Sequence, residues 1–287
     1  MIDGIRGKRA EDGMGDVRAL VLTGFGLNCD WETAHILEAA GARAERVHLN
    51  RLISGETSLR DYHLFVIGGG FSWADDHGAG VILAMRLKHR LRDEILAFVD
   101  RGGLVMGICN GFQVLVNTGL LPGFEPGRLS RHVALIDNDC GRFRDQWVHC
   151  VFEASSPCVF TRGLKAMDLP VRHGEGKFFA EPEVLRRLEE NHQVVLRYAF
   201  ADGRPAQGAF PENPNGSLHD IAGICDTTGR IFGLMPHPEA FHHWTNHPDW
   251  TWEKERYRRA GLPFPEQGAG VHLFRNAVDY VREQGAS

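Results

Sequence analysis

The sequence is short of several features that would mark a secreted, membrane-spanning or nucleic-acid-binding chain. Its six cysteines, at 29, 109, 140, 150, 158 and 225, include no C-x-x-C pair. A chain of 287 residues does not need disulfides to fold, so a reducing cytoplasm is the expected setting. Basic residues are not concentrated anywhere: 32 Lys and Arg are scattered against 37 Asp and Glu, for a net charge of −5. The positive face that a nucleic-acid binder needs is therefore missing. No apolar run comes near the length that crosses a bilayer, and the charged, Gly-rich opening MIDGIRGKRAEDGMGD has no apolar signal region. There is also no P-loop, no internal repeat, no low-complexity tract and no linker that would divide the chain. A single domain over 17–287 is expected, preceded by residues 1–16, read either as a poorly ordered extension or as an over-long start with Met14 as the true initiator.

What is present is a 43% hydrophobic chain, enough for a substantial core, with apolar runs that alternate in type. Val17 to Thr23, Ala44 to Leu49, Leu64 to Ile67 and Leu104 to Gly107 read as strands. Between them Trp31 to Ala40 and Ala79 to Arg101 have helical composition or spacing, and Phe112 to Thr118 reads as a buried helix stopped by Gly119. Strands alternating with helices predict an α/β fold: a mostly parallel sheet covered by helices on both faces. From Val133 the texture changes. Val133 to Ile136, Trp147 to Phe152, Val194 to Tyr198 and Ile221 to Cys225 are strand-like with only Val184 to Asn191 helical between them, which predicts a mixed or antiparallel extension of the sheet. Leu273 to Glu283 is expected to close the chain as a helix.

Two segments carry chemistry. Met106-Gly107-Ile108-Cys109-Asn110-Gly111-Phe112-Gln113 puts a cysteine between a buried strand and a helix, with glycine two residues to either side. That is the pattern of a nucleophile elbow, where the reactive residue occupies a strained turn and neighbouring side chains would collide. A sulfur at the start of a helix, beside a histidine, is favoured as the thiolate. The other five cysteines lack flanking glycines and read as small buried hydrophobes. The second segment, Met235-Pro236-His237-Pro238-Glu239, holds a histidine between two prolines in a stiff, extended loop. Two positions on, Glu239 would lie on the same side of that extended segment, able to accept the imidazole N–H and fix its tautomer. Cys109, His237 and Glu239 thus make a candidate Cys–His–Glu triad.

Taken together, G-I-C-N-G-F-Q and M-P-H-P-E resemble the class I (triad) glutamine amidotransferases. Further segments are similar to the glutaminase component of phosphoribosylformylglycinamidine synthase: Gly26-Leu27-Asn28-Cys29-Asp30 to G-x-N-C-D, Gly69-Gly70-Phe71-Ser72-Trp73 to G-G-F-S-[YW], and His173-Gly174-Glu175-Gly176 to H-G-E-G. Asn213-Pro214-Asn215-Gly216-Ser217 through Gly223 and the closing Leu273-Phe274 extend the likeness over nearly the whole chain. The resemblance implies a flavodoxin-like fold, with Cys109 as nucleophile, His237 as base and Glu239 as its partner. It implies an oxyanion hole from the N–H of Asn110 and of the Gly69-Gly70 loop, and contacts to bound glutamine from Gln113 and the loop starting at His173 and Gly174. On the residues alone, Gln113 is equally a solvated helix position. Two departures stand out. Ala240 occupies the place of arginine in M-P-H-P-E-R, which we read as altering a contact to the synthetase partner, and Ala74 replaces the second turn glycine of G-G-F-S-Y-G-D.

The implied reaction is glutamine hydrolysis through a cysteinyl thioester, with the ammonia passed to a partner. No cofactor and no metal is expected in this chain. His242, His243 and His247, interleaved with tryptophans and interrupted by Pro248, read as a non-helical surface contact region. ATP and magnesium would serve a large synthetase subunit that amidates formylglycinamide ribonucleotide, with a small bridging subunit as a further partner. The alternatives are an amidotransferase subunit serving another synthetase, a stand-alone cysteine hydrolase or peptidase of the same fold, and a catalytically silent binding subunit.

Overall fold

The computed structural model describes residues 16–125 and 127–285, so residues 1–15, with the predicted extension and Met14, lie outside the described residues. Eleven strands and eight helices follow in chain order among the described residues. The first half contains β1 (Arg18–Thr23), α1 (Asp30–Ala39), β2 (Arg43–His48), α2 (Leu49–Ile53), β3 (Leu64–Ile67), α3 (Val81–Arg90), α4 (Arg92–Asp100), β4 (Leu104–Ile108) and α5 (Asn110–Thr118). The second contains β5 (Val133–Ile136), β6 (Arg144–Phe152), β7 (Ala166–His173), β8 (Lys177–Ala180), α6 (Pro182–Glu190), β9 (Val194–Ala199), β10 (Ile221–Cys225), β11 (Ile231–Leu234), α7 (Trp250–Arg259) and α8 (Val271–Glu283).

Nine strands form one sheet in the order β2-β1-β3-β4-β11-β10-β9-β6-β7, and β5 pairs with β8 separately. Strands β2 to β11 in that order are parallel, while β10, β9, β6 and β7 join antiparallel. This is the flavodoxin-like order with the antiparallel extension that the second half of the sequence predicts. The central strands β3 and β4 are buried at every position, as strands covered by helices on both faces must be. In α5 eight of nine residues are buried, polar Asn110, Gln113 and Thr118 among them, so this helix is packed on nearly every side. Cys109 therefore sits between a fully buried strand and an almost fully buried helix.

The predicted continuous helix over 79–101 is two helices. Leu91 leaves the helical region (φ −131°, ψ 9°), ending α3, and is itself 5% exposed, so the break between the two helices is anchored in the core. Strand β7 was not expected, because Pro170 interrupts its pattern. As the terminal strand of the sheet it pairs only with β6, and an edge is where proline is tolerated. The segment after His247 is helical after all: α7 has no buried residue, so it shows no apolar periodicity in the sequence.

Candidate active site

β4 delivers Ile108 to the carboxyl end of the sheet, and Cys109 turns the chain abruptly at φ 52°, ψ −106° before α5 begins. That conformation is costly for a residue with a Cβ and is held by the bonds around it: the Cys109 N–H donates to the Leu234 carbonyl at 2.8 Å, and its carbonyl accepts from Gln113 at 3.1 Å. The two elbow glycines are required by space. A Cβ on Gly111 would lie 1.9 Å from the Ile67 carbonyl oxygen, and one on Gly107 would lie 2.6 Å from Gly111 backbone. Gly111→Ala must therefore push α5 off β3. A loss of about 3 kcal/mol is expected, read as a lower urea midpoint at unchanged slope.

The candidate base, His237, stands on the loop after β11, the parallel neighbour of β4. The His237 N–H donates to the Pro170 carbonyl of β7 at 2.8 Å, and its Nδ1 lies 2.5 Å from Glu239 Oε1. His237 is 2% and Glu239 0% exposed. The segment is not extended, as the sequence suggested. Pro238 opens a 3-10 turn, Pro238–Phe241, and this turn, not strand alternation, brings the carboxylate back onto the ring. Burial alone would push His237 down. The Glu239 carboxylate and the Cys109 and Cys29 sulfurs outweigh it and hold the imidazole well above its ordinary value, the condition for an imidazolium beside a thiolate. The Cys109 sulfur also lies 3.6 Å from the Arg172 carbonyl.

Cys29 is more than the inert hydrophobe expected. Its sulfur, the His237 ring and a Glu239 oxygen lie within 4.8 Å of one another. Burial raises the Cys29 thiol, so it stays protonated against the ring instead of competing as a nucleophile. Cys140, expected to be buried, is exposed.

Gly69 and Gly70 come just after β3, and a Cβ on Gly69 would lie 2.7 Å from the His237 ring. No hydrogen bond among the described residues uses the N–H of Gly69, Gly70 or Asn110. Gly70 has φ 146°, and a Cβ there would meet the Gly26 carbonyl at 2.4 Å. Beyond it Trp73, Ala74 and Asp75 all have φ of 54–55°, so Ala74 holds a left-handed conformation that a glycine would adopt without strain. The buried Asn110 side chain braces this loop: it accepts from the Ser72 N–H at 3.3 Å and donates to Asp75 Oδ1 at 3.1 Å and Gln113 Oε1 at 3.0 Å.

Gln113 is buried, which rejects the solvated alternative, and its Nε2 donates to the Glu175 carbonyl at 2.6 Å. His173 is buried as well. Its Nδ1 lies 3.1 Å from Asn138 Oδ1, and burial, with the nearby His237, pushes its pKa down to about 3. Asn138 also accepts from the Gly176 N–H at 3.0 Å, while Asn215 donates to the Gly176 carbonyl at 2.9 Å. In this arrangement Gln113 and the His173 ring shape the Gly174–Glu175 loop. Asn138 carries no sequence signal, whereas Asn215 lies in the N-P-N-G-S motif. The histidines of the later segment diverge: Nδ1 of His242 lies 3.2 Å from the Glu239 carbonyl, Nδ1 of His243 lies 2.8 Å from Thr245, and Nε2 of His247 lies 3.7 Å from Asp168.

Asp75 is a further group the sequence did not single out. Burial and the Glu175 carboxylate push it up to about 6, against the hydrogen bonds it accepts from Gly80 and Asn110. A carboxyl raised in the fold favours the folded state while protonated, so this contribution is lost as pH rises from about 4 to about 6. Asp75→Asn is expected to raise Tm at pH 7.5, with the gain shrinking toward pH 4.

A strained cysteine elbow at the carboxyl end of a flavodoxin-like sheet, facing a buried histidine–glutamate pair, is the arrangement of the triad glutamine amidotransferases. The chain belongs to the CobB/CobQ-like glutamine amidotransferase domain family, whose model matches residues 16–281. Phosphoribosylformylglycinamidine synthase subunit PurQ of Methanococcus maripaludis is 44% identical over 93% of this chain and 98% of its own length. The subunit of the same name from Dehalococcoides mccartyi is 42% identical over 94% of this chain and 100% of its own. Among solved structures, PurLQS from Thermotoga maritima contains a chain similar at a TM-score of 0.67 and 29% identity, covering 93% of this chain and 99% of that one.

Proposed function

We propose that this chain is the glutaminase subunit of a phosphoribosylformylglycinamidine synthase, hydrolysing glutamine and supplying the ammonia to a PurL-type synthetase in a complex that also includes a PurS-type small subunit. Full-length likeness to the PurQ subunits supports the pathway, and to PurLQS the assembly. The observation that carries the chemistry is the imidazole of His237, fixed at 2.5 Å on Glu239 and faced by the Cys109 sulfur of a strained elbow.

In this reading the Cys109 thiolate attacks the side-chain carbonyl carbon of glutamine. The N–H groups of Asn110 and of Gly69 or Gly70, free of other partners, hold the oxyanion; each such donor supports the transition state by about 2.7–4 kcal/mol. The imidazolium of His237 gives its proton to the departing nitrogen, which leaves as ammonia, and a γ-glutamyl thioester remains on Cys109. His237, now neutral, takes a proton from water; the hydroxide attacks the thioester, and glutamate leaves as the sulfur regains the imidazolium as its counterion. Gln113, His173 and Gly174 shape the wall of the glutamine pocket. ATP and magnesium belong to the synthetase, where they activate the formylglycinamide oxygen that ammonia displaces.

Cys109 is 5% exposed, so the rim must move before glutamine reaches the sulfur. Low glutaminase turnover is therefore expected from the chain alone, rising when synthetase and small subunit are added with ATP and formylglycinamide ribonucleotide. Glutamate release coupled to glutamine-driven amidination is the measurement. Equal turnover with and without the partners contradicts the reading, and cleavage of peptide amides by the lone chain favours the peptidase.

A further inference from the structure

The buried end of the triad has more negative charge than its hydrogen bonds satisfy. Glu239 is 0% exposed, one of its oxygens is engaged by His237, and the other, Oε2, has no hydrogen-bond partner among the described residues. A buried carboxylate with one oxygen unbonded is favoured by a neighbouring cation. In the M-P-H-P-E-R pattern an arginine immediately follows this glutamate, and here that place is Ala240. The cation arrives from another strand. Nη2 of Arg172, near the end of β7, lies 3.8 Å from Glu239 Oε1 and 3.3 Å from His237 Nδ1. Apart from His237, it is the one cation within ion-pair distance of Glu239 among the described residues.

We propose that Arg172 is a positioning residue of the triad, supplying from β7 a positive charge beside the Glu239 carboxylate and so holding the imidazole in its working orientation. This rests on the glutaminase reading above. Nδ1 shares its proton with Glu239 at 2.5 Å, so an arginine N–H cannot donate to the same atom, and Arg172 acts there through its field. The side chain is 36% exposed, which keeps the guanidinium partly hydrated while one nitrogen reaches the pair. Its backbone is fixed: β7 is paired along β6, with Arg172 opposite Asp145, and the His237 N–H is bonded to Pro170 two residues before it. The Arg172 carbonyl lies 3.6 Å from the Cys109 sulfur, so one residue touches all three members of the triad.

Removal of the charge has a signature that loss of packing does not. The groups facing His237 and Glu239 are Cys29 before α1, Cys109 at the elbow, Arg172 and His173 from β7, and His242 beyond the 3-10 turn, with Glu32 of α1 acting on Cys29 and His35 of α1 packing edge-on against His242. His173, pushed down to about 3, is neutral throughout the working range, and the raised Cys29 is a neutral thiol. Without Arg172 the His237 ring loses a positive neighbour and holds its proton more tightly, so the acidic limb of kcat/KM moves to higher pH.

The test is Arg172→Ala and Arg172→Lys in the complex with the synthetase, with wild type and Cys109→Ala as controls. Arg172→Ala is expected to lower kcat about tenfold and shift the acidic limb upward, with KM for glutamine changed less than threefold and Tm nearly unchanged. Arg172→Lys, which keeps the charge, is expected to hold the limb near the wild-type position. An unchanged kcat and limb in Arg172→Ala overturns the proposal. A loss confined to KM also overturns it, and assigns Arg172 to the α-carboxylate of glutamine. If the wild-type complex shows no Cys109-dependent glutaminase, the functional reading has failed instead.

Discussion

Cys109→Ala is expected to abolish glutamine-driven amidination, lowering kcat at least about 10⁴-fold, while leaving ammonia-driven synthesis by the partner at its wild-type rate. Alanine keeps the Cβ, so the strain at φ 52° is the same and the elbow is not relaxed by the change. The oxyanion donors and the His237–Glu239 pair remain in place, and direct attack by water is all that is left to them. The experiment compares glutamine with ammonium salts as nitrogen donor in the reconstituted complex. Loss of both activities would mean that the variant fails to assemble, and retention of glutamine turnover would remove Cys109 from the chemistry.

Glu239→Gln is expected to lower kcat on the order of 10³-fold, with little change in KM, because it attacks the state of the histidine instead of the nucleophile. The carboxylate is the first of the groups that raise His237 against burial. With a neutral amide in its place the burial effect prevails, the imidazole falls toward its neutral form, and the Cys109 thiolate loses its counterion. The amide can also donate to Nδ1, which selects the wrong tautomer. The change places an unpartnered N–H₂ at the buried Oε2 position while removing a buried charge, so Tm is measured alongside kcat to separate folding from chemistry. Alkylation of Cys109 by iodoacetamide, followed against pH, reports this directly: the rate at neutral pH should fall in Glu239→Gln. An unchanged profile would mean that the carboxylate does not govern the histidine.

The elbow was legible because its requirements are local. Gly107 and Gly111 must lack side chains for reasons that lie within a few residues of Cys109 and against one neighbouring strand, and such demands leave a pattern that can be read along the chain. Fully buried strands were legible for a similar reason: Leu64–Ile67 and Ile221–Cys225 are apolar runs bounded by breakers, and their limits agree with the structure. The groups around the triad were not. Arg172 reaches Glu239, Asn138 reaches Gly176, and Cys29 reaches His237 across long sequence separations, through contacts that need the finished sheet. Strand β7 was hidden because an edge strand tolerates Pro170 and alternates polar residues, and α7 because a helix that buries nothing has no apolar stripe. The contact between His237 and Glu239 comes from the turn at Pro238, where the sequence suggested an extended segment.

The central claim is that the amide nitrogen of glutamine leaves from a covalent adduct on Cys109. Rapid acid quench of the complex turning over glutamine, followed by proteolysis and mass spectrometry, tests it most directly. The account predicts the mass of one γ-glutamyl group on the peptide bearing Cys109, labile to hydroxylamine and absent in Cys109→Ala. An adduct on another cysteine, or steady glutamate release with no adduct on Cys109 at any quench time, would contradict it.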